Sequence, residues 1–178
     1  MQAQYAVRGE LVQRAMVHQK ALQAGEARPF DKIVFCNIGN PHELGQKPIT
    51  FFREVLALVD HPELLKHPRV GELFAEDAIA RAKAYLSTLP GGTGAYSASQ
   101  GIEVVREEVA AFMSKRDGVP ANAADVFLTD GASPAVQMLI RSLIRQHSDA
   151  LMIPIPQYPL YSASIALYGG SLVGYYLN

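Results

Sequence analysis

The sequence predicts an α/β fold in which a parallel sheet is covered by crossover helices. In its later half, short apolar runs alternate with helical patterns through short links, which is typical of successive β–α–β units. The runs are apolar at nearly every position, as expected of strands that are covered on both faces. With 49% hydrophobic and 19% charged residues among 178, the composition is that of an ordinary folded core.

The first half is predicted to be mainly helical. The expected elements are a helix over residues 3–24, a strand over 32–36, and helices over 50–59 and 72–89. Gly25 and Pro29 end the first helix, because neither residue continues a helical pattern. Cys36 lies in the β-branched and aromatic run that predicts the strand, and we expect it to be buried there, since cysteine packs well in cores.

The second half carries the regular alternation of helices and strands. The expected elements are a helix over residues 101–116, a strand over 126–129, a helix over 133–146, a strand over 150–155, a helix over 158–167 and a strand over 171–177. Ser99 is a candidate N-cap for the first of these helices. The final strand has no helix after it, so we expect the sheet to be incomplete.

Several functional classes are disfavoured by composition and spacing. The formal net charge is −1 and the basic residues are scattered, so a nucleic-acid partner is not expected. No signal peptide and no apolar stretch of membrane-spanning length is visible. One cysteine forms no disulfide framework, and the histidines show no metal-ligand spacing, so no metal site is expected. A cytoplasmic protein is the prediction, with mitochondria and peroxisomes kept open.

The segment Thr129-Asp-Gly-Ala-Ser-Pro134 joins a predicted strand to a predicted helix. Ser133 suits the N-cap and Pro134 the first turn. Free backbone N–H groups at a helix N-terminus bind anions, so this junction is a candidate phosphate site. A plain strand–helix turn explains the same residues.

A second junction, Ile153-Pro-Ile-Pro-Gln-Tyr-Pro159, follows the next predicted strand. Ligands of open α/β sheets bind at the carboxyl ends of strands. The neighbouring proline restricts the backbone of Tyr158, whose ring could therefore cover a flat cofactor. A tyrosine that only packs is the simpler alternative.

Two glycine-containing loops complete the candidates. Gly91, Gly92 and Gly94 precede Tyr96, but their spacing matches no nucleotide-binding motif, so a loop carrying one tyrosine is expected. In Asn37-Ile-Gly-Asn-Pro41, Gly39 would let a backbone N–H approach a substrate carboxylate; as an isolated pattern this is a turn.

Taken together, these segments resemble the alanine aminotransferases of eukaryotic type. The similar segments, in the family's order, are Tyr5-Ala-Val-Arg-Gly-Glu10, Cys36-Asn-Ile-Gly-Asn-Pro41, Leu44-Gly-Gln-Lys-Pro48, Gly94-Ala-Tyr-Ser97, Leu128-Thr-Asp-Gly-Ala-Ser133 and Pro154-Ile-Pro-Gln-Tyr-Pro-Leu-Tyr161. The resemblance implies a fold-type I transferase that uses pyridoxal 5′-phosphate (PLP) as a homodimer. It would exchange an amino group between L-alanine and 2-oxoglutarate, giving pyruvate and L-glutamate.

The resemblance also implies roles for individual residues. Ala132 and Ser133 would bind the PLP phosphate, Tyr158 would stack on the pyridine ring, and Tyr96 would reach the phosphate of the neighbouring subunit. Gly39 would offer its N–H to the substrate carboxylate. Residues 1–75 would form an N-terminal arm and part of the small domain, and residues 76–178 the first strands and helices of the large PLP-binding domain.

One departure from the family is expected. The lysine that binds the cofactor covalently belongs to a motif that none of the lysines at 20, 32, 47, 66, 83 and 115 matches. We therefore expect an incomplete fold-type I domain that is inactive alone, because this lysine is needed for the proton shift. A glutamate:glyoxylate aminotransferase and a non-catalytic module with the same fold stay open as alternatives.

Overall fold

The structure is a computed structural model that describes residues 3–5 and 7–177. Its helices are α1 (Glu10–Gln23), α2 (Thr50–Asp60), α3 (Val70–Leu73), α4 (Glu76–Thr88), α5 (Glu103–Asp117), α6 (Ala132–Leu143) and α7 (Pro159–Leu167), with short 3₁₀ helices at Pro62–Lys66 and Ala123–Asp125. The strands are β1 (Ala150–Ile155) and β2 (Ser171–Tyr176). The chain forms two compact units: the described residues up to Pro41 together with those from Thr129 onward, and His42–Leu128.

The first unit contains a β–α–β element made of β1, α7 and β2. The two strands pair in parallel, with Ala150 opposite Ser171 and Ile155 opposite Tyr176. Parallel neighbours require a crossover, and α7 supplies it. This confirms the parallel arrangement that the alternation of strands and helices predicts.

Helix α6 joins this element through a core of β-branched side chains. Ile140, Ile153 and Ile165 are buried, and the partly buried side chains around them are Val136, Ile144, Leu151 and Tyr168. A Cβ at Gly170 would lie 2.6 Å from Cδ1 of Ile144, so the glycine lets the C-terminal end of α6 reach the start of β2. Ile144 follows the last residue of α6, so this end of the helix lies near the start of β2.

The second unit is organised around the packing of α2 on α4. Val55, Leu58 and Val59 face the small side chains of Ala78 and Ala82, and this group is buried. Small residues on one helix allow its backbone to approach the other closely, so the aliphatic side chains pack against it. The fully buried Leu58 is therefore central to the stability of this unit.

A carboxylate connects α4 to α5 in the same unit. Glu108 forms an ion pair with Arg81, and the hydroxyl of Tyr85 donates to its other oxygen at 2.9 Å. Burial of the phenol, helped by the hydrogen bond to Glu108, raises the pKa of Tyr85 above its ordinary value. The phenol therefore stays protonated and keeps donating well into the alkaline range.

Two predicted strands are wrong. Residues 32–36 and 126–129 form no regular secondary structure and belong to no sheet in the described part of the chain. A short β-branched run has little preference of its own and becomes a strand only when a neighbour pairs with it. Cys36 is exposed for the same reason, contrary to the expectation of a buried position.

Several helix boundaries also differ from prediction, and three of the differences follow. The helix expected over residues 3–24 begins at Glu10, and the one expected over 72–89 is interrupted between Leu73 and Glu76. The interruption occurs where the Ala75 N–H donates to the Glu54 carboxylate at 2.8 Å, so a side chain from α2 caps a new helix start. Ser99 caps nothing, since α5 begins at Glu103 with Ile102 in the N-cap position.

The assignment of residues 1–75 and 76–178 to two enzyme domains stays a prediction, which the two compact units do not test. In the described part of the chain, no helix is long and apolar enough to cross a membrane.

Candidate functional site

An open cleft of about 570 Å³ lies in the first unit. The residues that line it are Tyr5, Val7, Arg8, Asn37, Ile38, Gly39 and Tyr158. They come from the segment before α1, from the segment that follows it, and from the start of α7. The cleft therefore joins parts of the chain that are far apart in sequence.

Tyr158 is the aromatic residue that α7 presents to this cleft. It occupies the N-cap position, with φ −72° and ψ 128°, and half of its surface is exposed. Its hydroxyl lies 2.6 Å from that of Tyr5, and the two rings meet edge to face with centroids 6.1 Å apart. The hydrogen bond with Tyr158 raises the pKa of Tyr5 above its ordinary value. The phenol of Tyr5 therefore remains protonated at neutral pH, and its hydrogen bond holds the Tyr158 ring at the hydroxyl end.

The segment around Gly39 is held against the N-terminal segment by a side-chain amide. Asn37 Nδ2 donates to the carbonyl of Val7 at 3.0 Å. A Cβ added at Gly39 would meet no atom within 4 Å, so free space adjoins the backbone at this point. A ligand group can therefore approach the peptide closely; the contact of Gly39 with a substrate carboxylate stays a prediction.

Arg8 provides a positive charge in the lining of the cleft. Its side chain is exposed, and it forms no ion pair with any residue in the described ranges 3–5 and 7–177. An arginine presents a planar set of donors that matches a carboxylate. The cleft thus combines an aromatic ring, a cation and an accessible backbone.

The start of α6 is a second candidate site, one that suits an anion. Gly131 precedes the helix with φ 87° and ψ 174°, and the Thr129 hydroxyl donates to its carbonyl at 2.8 Å. Within the described residues, the N–H groups of Ala132 and Ser133 have no acceptor, and Pro134 has no N–H. The first turn has no acidic residue. These two N–H groups and the positive end of the helix dipole suit an anion such as a phosphate.

Ser133 differs from its predicted position by two residues. The N-cap is Gly131, because a glycine adopts its positive φ without strain, and Ser133 is the second residue of the helix. Its hydroxyl forms no hydrogen bond to any residue that the structure describes. It is therefore available to a ligand as a donor, in addition to its own N–H.

Of the residues predicted to form the site, Tyr158 and Gly39 line one cleft. Ala132 and Ser133 do not line it. Tyr96 belongs to the second unit, where it is fully exposed and lines another cleft of about 440 Å³. Its contact with a neighbouring subunit stays a prediction.

Sequence reasoning assigned no role to Tyr5, Arg8 or Asn37. All three lie in segments that carry the family resemblance, which is the signal that could have identified them. Their separation from Tyr158 by more than a hundred positions hid the relation, because only the folded chain brings them together.

Across the described residues, no group of three or more His, Cys, Asp or Glu side chains is arranged to hold a metal ion.

Comparison with known proteins places this geometry in a family. The model of the family "Aminotransferase class I and II" matches residues 71–178. The chain is 59% identical over 180 residues to "Alanine aminotransferase 2" of Panicum miliaceum, covering 100% of the chain and 37% of that protein. It is 55% identical over 175 residues to "Glutamate--glyoxylate aminotransferase 1" of Arabidopsis thaliana, covering 98% of the chain and 35% of that protein.

The fold is similar to that of a solved alanine aminotransferase from Pyrococcus furiosus, with a TM-score of 0.62 and 25% identity over 98% of this chain and 34% of that one. The chain spans about a third of the length of these relatives. The predicted α/β architecture is confirmed. The agreement of sequence, fold and family model over most of the chain shows that it belongs to the class I and II aminotransferases.

Proposed function

We propose that these residues form part of a PLP-dependent enzyme that transfers an amino group between L-alanine and 2-oxoglutarate, giving pyruvate and L-glutamate. The observation that carries the proposal is the cleft of the first unit, where the Tyr158 ring, the Arg8 guanidinium and the free space at Gly39 converge. The similarity to the alanine aminotransferase of Panicum miliaceum supports this choice of substrates.

The residues at the start of α6 fit the cofactor's phosphate. Two N–H groups and a serine hydroxyl that have no partner among the described residues, together with a first turn that has no carboxylate, match an anion that has several acceptor oxygens. Ala132 and Ser133 would hold this phosphate. Tyr158 would support the pyridine ring, because its ring is half exposed and fixed at the hydroxyl by Tyr5.

When bound, PLP supplies an electron-withdrawing ring that stabilises negative charge at the amino acid's α-carbon. The residues of this chain would bind and orient the reactants. Gly39 would donate its N–H to the α-carboxylate, since no described residue occupies the space beside it. Arg8 would attract a second carboxylate, which distinguishes 2-oxoglutarate and glutamate from alanine and pyruvate.

A homodimer belongs to the same proposal. Tyr96 would reach the cofactor phosphate of the neighbouring subunit, and its complete exposure within this chain leaves its hydroxyl available for that contact. Mixed dimers that carry Tyr96→Phe in one subunit should then lose cofactor affinity at one of the two sites. The compartment, expected to be the cytoplasm, stays a prediction.

The direct test is transamination by the complete gene product. The purified protein, supplied with PLP, should form pyruvate from L-alanine and 2-oxoglutarate, measured by coupling to lactate dehydrogenase. No pyruvate from a protein that binds PLP would overturn the assignment of alanine as the amino donor.

A second candidate is supported by the 55% identity to the glutamate–glyoxylate aminotransferase of Arabidopsis thaliana. The same protein should be assayed with L-glutamate and glyoxylate, with glycine as the measured product. A kcat/KM for this pair that exceeds the value for alanine and 2-oxoglutarate would favour the second candidate.

The phosphate site can be tested separately from turnover. Ser133→Ala removes one hydroxyl donor and should weaken PLP binding by about tenfold or more, because a hydrogen bond to a charged group contributes about 1.5–3 kcal/mol. Ser142→Ala is the matched control, because Ser142 lies on the same helix and its hydroxyl donates to the Met138 carbonyl. Equal PLP affinities for the two variants would exclude Ser133 from the phosphate site.

A further inference from the structure

The side chain of Gln157 folds back onto the first turn of α7. Its Nε2 donates to the hydroxyl of Ser162 at 2.8 Å, and this hydroxyl donates to the carbonyl of Pro159 at 3.3 Å. Since α7 begins at Pro159 with Tyr158 as the N-cap, Gln157 immediately precedes the cap and Ser162 is the fourth helical residue. The bond therefore spans Tyr158.

Side chains at these two positions fix the direction in which the chain enters a helix. In many proteins the pair is apolar and acts as a staple between the residue before the cap and the first turn. In this protein a hydrogen bond between Gln157 and Ser162 joins the same two positions. Tyr158 lies inside the closed loop, so the angle at which its ring leaves the backbone depends on the contact between Gln157 and Ser162.

The other end of the Gln157 amide forms no hydrogen bond. Its Oε1 is buried and has no partner among the residues that the structure describes. A buried polar atom without a partner opposes folding, and an apolar side chain at this position would avoid that cost. The favourable interaction of the Gln157 side-chain amide is therefore its hydrogen bond to Ser162.

We propose that Gln157 and Ser162 are positioning residues for Tyr158. Tyr5 holds the ring at its hydroxyl, and the bond between Gln157 and Ser162 holds it at its backbone. With both ends fixed, the ring meets the pyridine ring of the cofactor without first losing conformational freedom, which increases affinity. This inference rests on the proposed function, because it needs a cofactor ring at Tyr158.

The experiment measures binding to the complete gene product after removal of its cofactor. The probes are pyridoxine 5′-phosphate, which has the ring and the phosphate but no aldehyde to react with a lysine, and inorganic phosphate, which has no ring. Gln157→Ala should raise the Kd for pyridoxine 5′-phosphate by about two- to tenfold and leave the Kd for inorganic phosphate unchanged. Ser162→Ala should do the same, whereas Ser162→Thr keeps the hydroxyl and should bind as the parent protein does.

A double variant tests whether Gln157 affects ligand binding through Tyr158. In a Tyr158→Leu background, Gln157→Ala should change the Kd for pyridoxine 5′-phosphate by less than about twofold, because the ring that it positions is gone. A full additional loss in that background would overturn the proposal, since Gln157 would then act on the ligand directly. An equal loss of inorganic phosphate affinity would also overturn it, because general disruption of the unit weakens both ligands.

Two further outcomes separate this inference from the proposed function. If the parent protein does not bind pyridoxine 5′-phosphate, the proposed function fails. If it binds and Gln157→Ala binds equally well, only the positioning role fails. If circular dichroism shows that Gln157→Ala is unfolded, the positioning role is tested by comparing the Kd for pyridoxine 5′-phosphate of Ser162→Ala with that of Ser162→Thr, since both variants keep Gln157.

Discussion

The backbone at Gly131 gives a prediction that links stability to anion binding. Gly131 has φ 87° and ψ 174°, a region of conformational space that is essentially restricted to glycine. A Cβ added there would meet no atom within 4 Å, so crowding does not contribute to the cost of Gly131→Ala. The whole effect of the substitution comes from the backbone conformation.

The expected magnitude follows from that conformation. A residue held in such a region costs about 1–3 kcal/mol, which lowers the Tm of a chain of this size by about 2–4 °C per kcal/mol. If the backbone relaxes instead, the N–H groups of Ala132 and Ser133 turn away from their common direction. Since a hydrogen bond to a charged group contributes about 1.5–3 kcal/mol, losing one weakens phosphate binding by about tenfold or more.

The assay combines thermal unfolding with titration of inorganic phosphate. Gly71→Ala is the matched control, because Gly71 lies in α3, has no positive φ and has open space around its Cβ position. Alanine is the better helix former, so this variant should be unchanged or more stable by up to about 1 kcal/mol. The reasoning is refuted if Gly131→Ala retains the parent's Tm and phosphate affinity, or if Gly71→Ala is destabilised as much.

The second unit supports two further predictions. Leu58→Ala should reduce the free energy of unfolding by about 2–5 kcal/mol in urea titrations, because Leu58 is fully buried between α2 and α4. The control is Leu56→Ala, at a position 59% exposed on the same helix, which should change the free energy of unfolding by less than about 1 kcal/mol. Equal effects of the two substitutions would contradict the packing described. The raised pKa of Tyr85 stabilises the fold at every pH below the ordinary tyrosine pKa, and this contribution is lost as the pH rises through the raised value. In ultraviolet absorbance titrations, Glu108→Gln should lower the pKa of Tyr85, because the hydrogen bond to Glu108 and its charge both raise that pKa in addition to burial, the largest cause. The substitution should reduce the free energy of unfolding by less than about 1 kcal/mol at neutral pH, since the carboxylate is partly exposed. An unchanged titration would show that Glu108 does not act on the phenol.

The elements predicted best are those that carry their own local signals. The strand expected over residues 150–155 matches β1, and the helix expected over 50–59 differs from α2 by one residue. In both, the period of the apolar residues agrees with the final environment. The prediction of one helix over 72–89 was wrong at Ala75. The helical pattern of the sequence continues through this residue, but its backbone N–H donates a hydrogen bond to the Glu54 carboxylate of α2.

The two incorrect strand predictions also show that local sequence does not reveal which segments become neighbours in the fold. Residues 32–36 and 126–129 have the composition of strands, but in the described chain no neighbour pairs with them. A strand exists only as a member of a sheet, so its composition is a necessary condition and not a sufficient one.

The sequence by itself determined the family, the alternation that builds β1, α7 and β2, and the small residues around Gly131 that leave two N–H groups free. These depend on residues that are neighbours along the chain, where propensity and turn chemistry act. Only the tertiary structure decided that Tyr5 meets Tyr158, that Arg8 and Gly39 line the same cleft, and that Gln157 reaches Ser162 across the tyrosine. Contacts of this kind depend on how the whole chain packs, so they cannot be deduced from the pattern of neighbouring residues in the sequence.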